Sequence, residues 1–187
     1  ASKPAISLAR TSKWEINYDE DACNLLARFG EGDLTTFLKI TRVQPGDAIN
    51  VALYGKHLEH RKIATPMELA FGSQTAPYQR NGTAMTASGE SKLPLVVVER
   101  LRLDGWDYPV KGSDSFAIPF VSPEQEAQVT SITFKGPDRK VYLLQTGSLG
   151  RPMVAMRKCV DDLLRHWGYD PQVQDRLSRA AAPIGNQ

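Results

Sequence analysis

The sequence predicts an α+β domain of mainly antiparallel strands, in which an amphipathic helix near the C-terminal end packs on the sheet. Short segments of alternating apolar and polar residues, separated by turn residues, indicate the strands. An apolar stripe with spacings of three and four residues runs through 149–167 and indicates the helix. We expect about eight to ten strands, arranged as a sandwich or a partly open barrel. The predicted domain covers 1–170, and a short helix with a linker-like tail follows over 171–187.

Four strands are predicted in the first third of the chain. Trp14, Ile16 and Tyr18 alternate with polar residues, which is the period of a half-buried strand. The next three strands are predicted over 22–29, 34–41 and 49–54. Because short polar or glycine-containing turns join them, including Pro45-Gly46-Asp47, we expect an antiparallel meander.

The middle of the chain carries weaker signals. Residues 67–71 read as a short strand, and Asn81-Gly82 predicts a hairpin turn, since both residues readily take positive φ. We expect an exposed loop over 86–94 and a strand over 95–103. The turn-rich segment 105–119 receives no assignment.

Two helix starts and one hairpin are predicted towards the C-terminal end. Ser122, followed by proline and then Gln125, has the pattern of a capping box. A hairpin is expected over 129–134 and 141–146. Ser148 is placed to cap the long helix, and Gly168 to end it.

The two cysteines, Cys23 and Cys159, allow only one intramolecular pairing. We predict that they form a disulfide; the alternative is two buried thiols that act as small apolar side chains. A bond would join the first strands to the last helix and would indicate an oxidising compartment outside the cytosol. We also expect Trp14 and Trp167, close to the cysteines in sequence, to be buried near the bond.

Composition narrows the classes of partner. The 23 basic and 21 acidic residues leave a net charge of +2, which does not favour a nucleic-acid surface. No stretch reaches the roughly 18 apolar residues of a transmembrane helix, so no membrane span is predicted. The chain begins Ala1-Ser2 without methionine, which is consistent with removal of a signal peptide or with a recombinantly expressed segment.

His57 and His60 are the candidate metal ligands, with Glu59 between them. A zinc site needs a third or fourth ligand, and His166 is the only other histidine of the chain. A solvated polar turn explains the same residues, so we predict no metal and no other cofactor.

The sequence indicates no catalytic nucleophile. Thr146-Gly147-Ser148 resembles the turn of aspartic proteases, but Gln145 stands where the required carboxylate would precede it. Gly30-Glu31-Gly32 lacks the third glycine of a dinucleotide loop. We therefore predict no catalytic residue and no cofactor-binding residue.

Trp106 and Tyr108 lie in the turn-rich segment, and they are the candidate residues for contact with a partner. An aromatic residue in such a segment is either a core residue or an exposed contact, and the sequence does not decide between these alternatives.

Two segments resemble a module of uncharacterised exported proteins from α-proteobacteria. They read Trp14-x-Ile16-x-Tyr18 … Cys23-x-Leu25-x-Ala27-Arg28-Phe29-Gly30 and Thr146-Gly147-Ser148-Leu149 … Cys159-x-Asp161-Asp162-Leu163-Leu164-x-x-Trp167-Gly168-x-Asp170. In some of those proteins the module precedes a domain similar to the C-terminal domain of TonB. The resemblance covers about a third of the chain, implies export and the disulfide, and carries over neither an activity nor a transducer role.

The first functional hypothesis is a non-enzymatic periplasmic or secreted module that binds a protein or a cell-envelope component. Its contact surface would include Trp106, Tyr108 and the 86–94 loop. This hypothesis is preferred because no motif of an active site or cofactor site is complete. The ligand and the oligomeric state are not determined by the sequence.

Two alternatives stay open. One is a hydrolase-type enzyme whose site is assembled from dispersed residues such as His57, Glu59, His60 and Asp104. The other is a structural spacer domain of an envelope protein.

Overall fold

The computed structural model describes residues 4–42, 46–58, 64–86, 92–107, 120–136 and 139–173. The strands in this part of the chain are β1 (Ile6–Ala9), β2 (Glu15–Tyr18), β3 (Cys23–Phe29), β4 (Thr36–Arg42), β5 (Ile49–Tyr54), β6 (Ala64–Phe71), β7 (Tyr78–Thr86), β8 (Pro94–Leu101), β9 (Ile132–Lys135) and β10 (Val141–Gln145). The α-helices are α1 (Pro123–Gln128) and α2 (Gly150–His166).

All ten strands belong to one curled sheet in the order β1-β10-β9-β6-β7-β8-β5-β4-β3-β2. β1 and β10 are parallel, and every other neighbouring pair is antiparallel. The sheet curls into a half-barrel, because the chain leaving β1 bonds to the end of β3. The N–H of Thr11 donates to the carbonyl of Arg28 at 2.8 Å, and that of Gly30 to the carbonyl of Ala9 at 2.9 Å. The predicted mainly antiparallel α+β class is confirmed.

The core lies on the concave side of the sheet, where alternate strand residues meet α2. In β3, Cys23, Leu25, Ala27 and Phe29 are all buried, as the alternation predicts. The apolar stripe of α2 covers them with its buried residues Met153, Met156, Cys159, Val160 and Leu164. Burial of this stripe, rather than helix propensity, holds α2 in place.

The disulfide joins Cys23, at the start of β3, to Cys159, in the middle of α2. The sulfur atoms are 2.02 Å apart and the Cα atoms 6.0 Å apart, which matches the geometry of natural disulfides. Both residues are at most 1% exposed. The alternative of two buried thiols is therefore wrong, and the bond fixes the helix against the sheet.

The local helix signals are confirmed with small differences. Ser122 caps α1, and its side chain and that of Gln125 bond reciprocally to each other's backbone N–H. Leu149, not Ser148, occupies the cap position of α2, although the Ser148 hydroxyl accepts from the N–H of Gly150. Gly168, at φ +83°, follows the end of α2.

The predicted hairpin turn at Asn81-Gly82 is wrong, because β7 runs straight through both residues. A Cβ on Gly82 would lie 2.5 Å from a methyl carbon of Val96, so glycine serves close packing between strands here. The actual turn between β6 and β7 contains Gly72, at φ +56°.

The structure confirms some of the remaining sequence predictions and contradicts others. Trp14 packs edge-on against Phe29 with 6.2 Å between ring centroids, but Trp167 is 40% exposed, so its predicted burial is wrong. The hairpin of β9 and β10 is confirmed, whereas β1 was not predicted. Most of the expected 86–94 loop and of the 171–187 tail lies outside the described residues. No helix in the described ranges is long and apolar enough to span a bilayer.

Candidate functional site

The hydroxyl of Tyr78 organises the segment that leads to Trp106. Tyr78 begins β7 and is 2% exposed. Its oxygen accepts a hydrogen bond from the N–H of Arg102 at 3.2 Å and donates towards the carbonyl of Trp106 at 2.7 Å. Burial raises the pKa of Tyr78, so the hydroxyl keeps the proton that it donates.

Arg102 is a buried cation whose charge is balanced by Asp104. Its guanidinium forms two bonds to the Asp104 carboxylate, at 3.0 and 2.6 Å, and its side chain is 1% exposed. The bidentate geometry offsets the cost of removing the two charges from water. The pair is therefore a neutral structural unit rather than a charged binding site.

Trp106 is held by this pair on two sides. The backbone N–H of Trp106 donates to an Asp104 carboxylate oxygen at 3.0 Å, and the Arg102 guanidinium lies 5.3 Å from the centre of the indole ring. The residue is half-buried, and its contact with a partner stays a prediction. Tyr108, the second predicted contact residue, lies outside the described residues.

A cleft of about 440 Å³ lies beside this segment, at one end of the sheet. The end of β6, the start of β7, the end of β8 and the start of β9 meet there, next to α1. Its apolar part is formed by Phe71, Leu103 and Val129. Its polar side chains are Ser73, Gln74, Thr75, Asp104, Gln125 and Gln128.

Several walls of the cleft are fixed in advance of any ligand. The Gln74 amide bonds to the N–H of Phe71 and to the carbonyl of Ala76, so it cannot swing freely. Gly105, at φ +77°, packs against it, and a Cβ at that position would lie 2.8 Å from the Gln74 amide carbon. Gln125 is held by the capping box of α1. Such preorganisation lowers the entropic cost of binding.

The chemistry of the cleft is polar and uncharged. Among the described residues, Asp104 is the one carboxylate that lines the cleft, and it is paired with Arg102; the other polar side chains are amides and hydroxyls. The side chains of Ser73, Thr75 and Gln128 make no hydrogen bond within the described ranges. These groups are suited to hydrogen-bond a neutral ligand surface.

A second polar cluster was missed by the sequence analysis. Glu126 of α1 is ion-paired with Arg157 of α2 and lies 4.0 Å from Arg42 of β4, which itself is ion-paired with Asp47. Burial raises the pKa of Glu126, and the two nearby arginines oppose this shift. The second oxygen of Asp47 accepts from the N–H of Val121 at 2.9 Å. The cluster therefore ties both helices to the sheet.

The histidine candidates are placed only in part. His57 lies against Tyr142, with 4.9 Å between ring centroids, and 3.3 Å from the hydroxyl of Thr36. His60 and Glu59 lie outside the described residues. Within the described ranges, no group of three or more His, Cys, Asp or Glu side chains is arranged to hold a metal ion.

Of the residues named in the hydrolase alternative, His57 and Asp104 lie in the described ranges. Asp104 bonds to Arg102 and to the backbone of Trp106, whereas His57 contacts Thr36 and Tyr142. No signal in the sequence identified the Gln74 and Gln128 walls of the cleft, because ordinary surface glutamines have the same local context.

Comparison with known protein families, with characterised proteins and with solved structures finds no match to this chain.

Proposed function

We propose that this chain is a non-enzymatic periplasmic or secreted module that binds a protein or a cell-envelope component at the cleft beside Trp106. The observation that carries the proposal is the cleft itself, which is open, polar and largely preorganised. Asp104 and Gly105, which line the cleft after β8, lead into the segment that contains the predicted contact residues Trp106 and Tyr108.

The disulfide supports the proposed compartment. Its two sulfur atoms lie in the core, and persistent structural disulfides are typical of proteins outside the cytosol. Origin from an exported α-proteobacterial module belongs to the same proposal, because that resemblance rests on segments that include both cysteines.

The finer architecture is proposed to be a partly open barrel rather than a sandwich. The backbone bonds that run from residues 9–11 to 28–30 join the chain leaving β1 to β3, the last strand but one in the order, which favours a single curved sheet. The ends of such barrels are common sites for ligands. The cleft lies at one of these ends.

Binding is favoured over hydrolysis by how the polar groups of this region are used. The carboxylate of Asp104 and the hydroxyl of Tyr78 both hold the backbone near Trp106. A general acid or base must instead reach a substrate proton. The cleft therefore supplies fixed recognition groups.

Site-specific photo-crosslinking tests the proposal. A photoreactive residue replaces Gln128, which lines the cleft, and in a control replaces Gln79, an exposed glutamine of β7 that does not line it. Both variants are exposed to a periplasmic extract and to purified cell-wall fragments of an α-proteobacterium. We expect a defined adduct from position 128 that is absent from position 79. The same adducts at both positions would refute the assignment of the cleft.

A blocking variant completes this test. Gln128→Trp fills the cleft with a bulky side chain at an exposed position, so the fold and its thermal unfolding midpoint should not change. We expect this variant to lose the captured component while Gln79→Trp retains it. Equal retention by both variants would contradict binding in the cleft.

A further inference from the structure

β2 is an edge strand with unused backbone groups. It pairs with β3 on one side and ends the strand order on the other. Two bonds determine which groups face β3, since Thr11 donates to the carbonyl of Arg28 and Asp19 to that of Ala22. Even-numbered residues of β3 therefore bond towards β2, and odd-numbered residues of β2 bond back.

The N–H and C=O groups of Ile16 and Tyr18 consequently point away from β3. Within the described part of the chain, no backbone bond reaches them from the open side. Natural edge strands are protected by short length, lysine, proline, inward-pointing charges or a covering segment. β2 is four residues long, residues 13–19 contain no proline, and the two side chains of this segment that pack against the core, Trp14 and Ile16, are apolar.

The side chains along this edge are complementary to those of a second, antiparallel copy of the same strand. Exposure alternates from Lys13 to Asn17, which continues the strand pattern beyond its hydrogen-bonded part. Lys13 and Asp19 are exposed, and neither forms an ion pair among the described residues. Tyr18 is 54% exposed.

We propose that β2 is a self-association edge that pairs antiparallel with β2 of a second copy, with the twofold axis at Ile16. This register places the open backbone groups of Ile16 opposite themselves and places Trp14 opposite Tyr18. It also places Lys13 of each copy opposite Asp19 of the other, and cross-strand pairs of opposite charge are stabilising. The interface is closed, because each copy presents the same strand.

Charge selects this register over its neighbours. A shift of the axis by one residue keeps the open groups facing each other. An axis at Asn17 would place Glu15 opposite Asp19, and an axis at Glu15 would place two Glu15 carboxylates opposite each other. Like charges directly opposite are destabilising. The register at Ile16 contains no such pair.

Charge-exchange variants test the proposal by sedimentation equilibrium of the oxidised, full 187-residue chain. Lys13→Asp and Asp19→Lys each create two like-charge contacts in a homodimer, so we expect the dissociation constant to rise roughly thirtyfold. A 1:1 mixture of the two variants forms a heterodimer in which both contacts again join Lys to Asp. We therefore expect the mixture to dimerise as tightly as the wild type. Lys56→Asp, a reversal at an exposed lysine away from β2, should leave dimerisation unchanged.

Hydrogen exchange identifies the contact. Amides of Ile16 and Tyr18 should exchange more slowly as the concentration of the chain rises. A wild-type chain that stays monomeric, a mixture that does not recover dimerisation, or protection of these amides at every concentration would overturn the proposal. The last result would mean that another segment of the chain covers β2, and protection that requires an added peptide would assign the edge to a different protein.

Discussion

Removal of the Cys23–Cys159 bond should lower the free energy of unfolding of this fold by a large fraction. The bond closes a loop of 136 residues, which restricts the unfolded chain far more than the folded one. In the chain-entropy relation, a loop of that length corresponds to about 5 kcal/mol at 25 °C. Small domains are stable by about 5–15 kcal/mol, so the reduced chain is expected to be marginal or unfolded.

Urea unfolding of Cys23→Ala, Cys159→Ala and the double variant measures this cost. Each single substitution breaks the same disulfide, so each should lose the stabilisation that comes from restricting the unfolded chain. The double variant should be only slightly less stable than either single variant. The fully reduced wild-type chain is the matched control, because it lacks the bond but keeps both sulfur atoms. The alanine variants should be slightly less stable than it, since both side chains are buried.

A loss below about 1 kcal/mol in the reduced wild-type chain would refute this reasoning. It would mean that the unfolded chain is already compact, or that the bond strains the native packing of α2 on β3. A double variant whose loss of stability equals the sum of the two single losses would also contradict a shared bond. Thiol titration of denatured protein from an oxidising compartment should find no free thiol before reduction and two afterwards.

Two further predictions concern the buried polar groups. Tyr78→Phe removes the hydroxyl that bonds the backbone of 102–106, so we expect a loss of about 1–3 kcal/mol in urea unfolding and a shift in tryptophan emission; an unchanged midpoint would contradict the role of the hydroxyl. Burial raises the pKa of Glu126 above its ordinary value of 4.5, so the folded chain binds that proton more tightly than the unfolded chain. The linked stabilisation is complete below about pH 4.5 and is lost as the pH rises through the folded pKa. The stability of Glu126→Gln relative to the wild type should therefore rise as the pH increases above 4.5 and through the folded pKa of Glu126, and parallel pH profiles of the two proteins would contradict this.

Trp106, the predicted contact residue within the described ranges, does not itself line the cleft but bonds to Asp104, which does. Asp104 entered the sequence analysis only in the hydrolase alternative. Gln74 and Gln128 carried no signal of their own. Their significance arises because the ends of β6 and β8 and the helix α1 meet at one end of the sheet. That meeting depends on strand order, which no local pattern encodes.

By itself, the sequence determined the elements whose signals are local. The capping box at Ser122 and Gln125, the apolar stripe of α2 and the alternation in β3 act within a few residues, and each appears in the structure. Because the chain has two cysteines, the sequence also determined that an intramolecular disulfide could join only Cys23 to Cys159.

Only the tertiary structure decided which distant segments meet. The parallel pairing of β1 with β10 joins residues more than a hundred positions apart, and the Arg42–Glu126–Arg157 cluster joins a strand to two helices. Long-range pairing also overrode a local signal at Asn81-Gly82, which pair with Pro66 and Thr65 of β6 inside a strand. Local patterns report the conformation of a few residues, whereas these contacts depend on the free energy of burying the whole core.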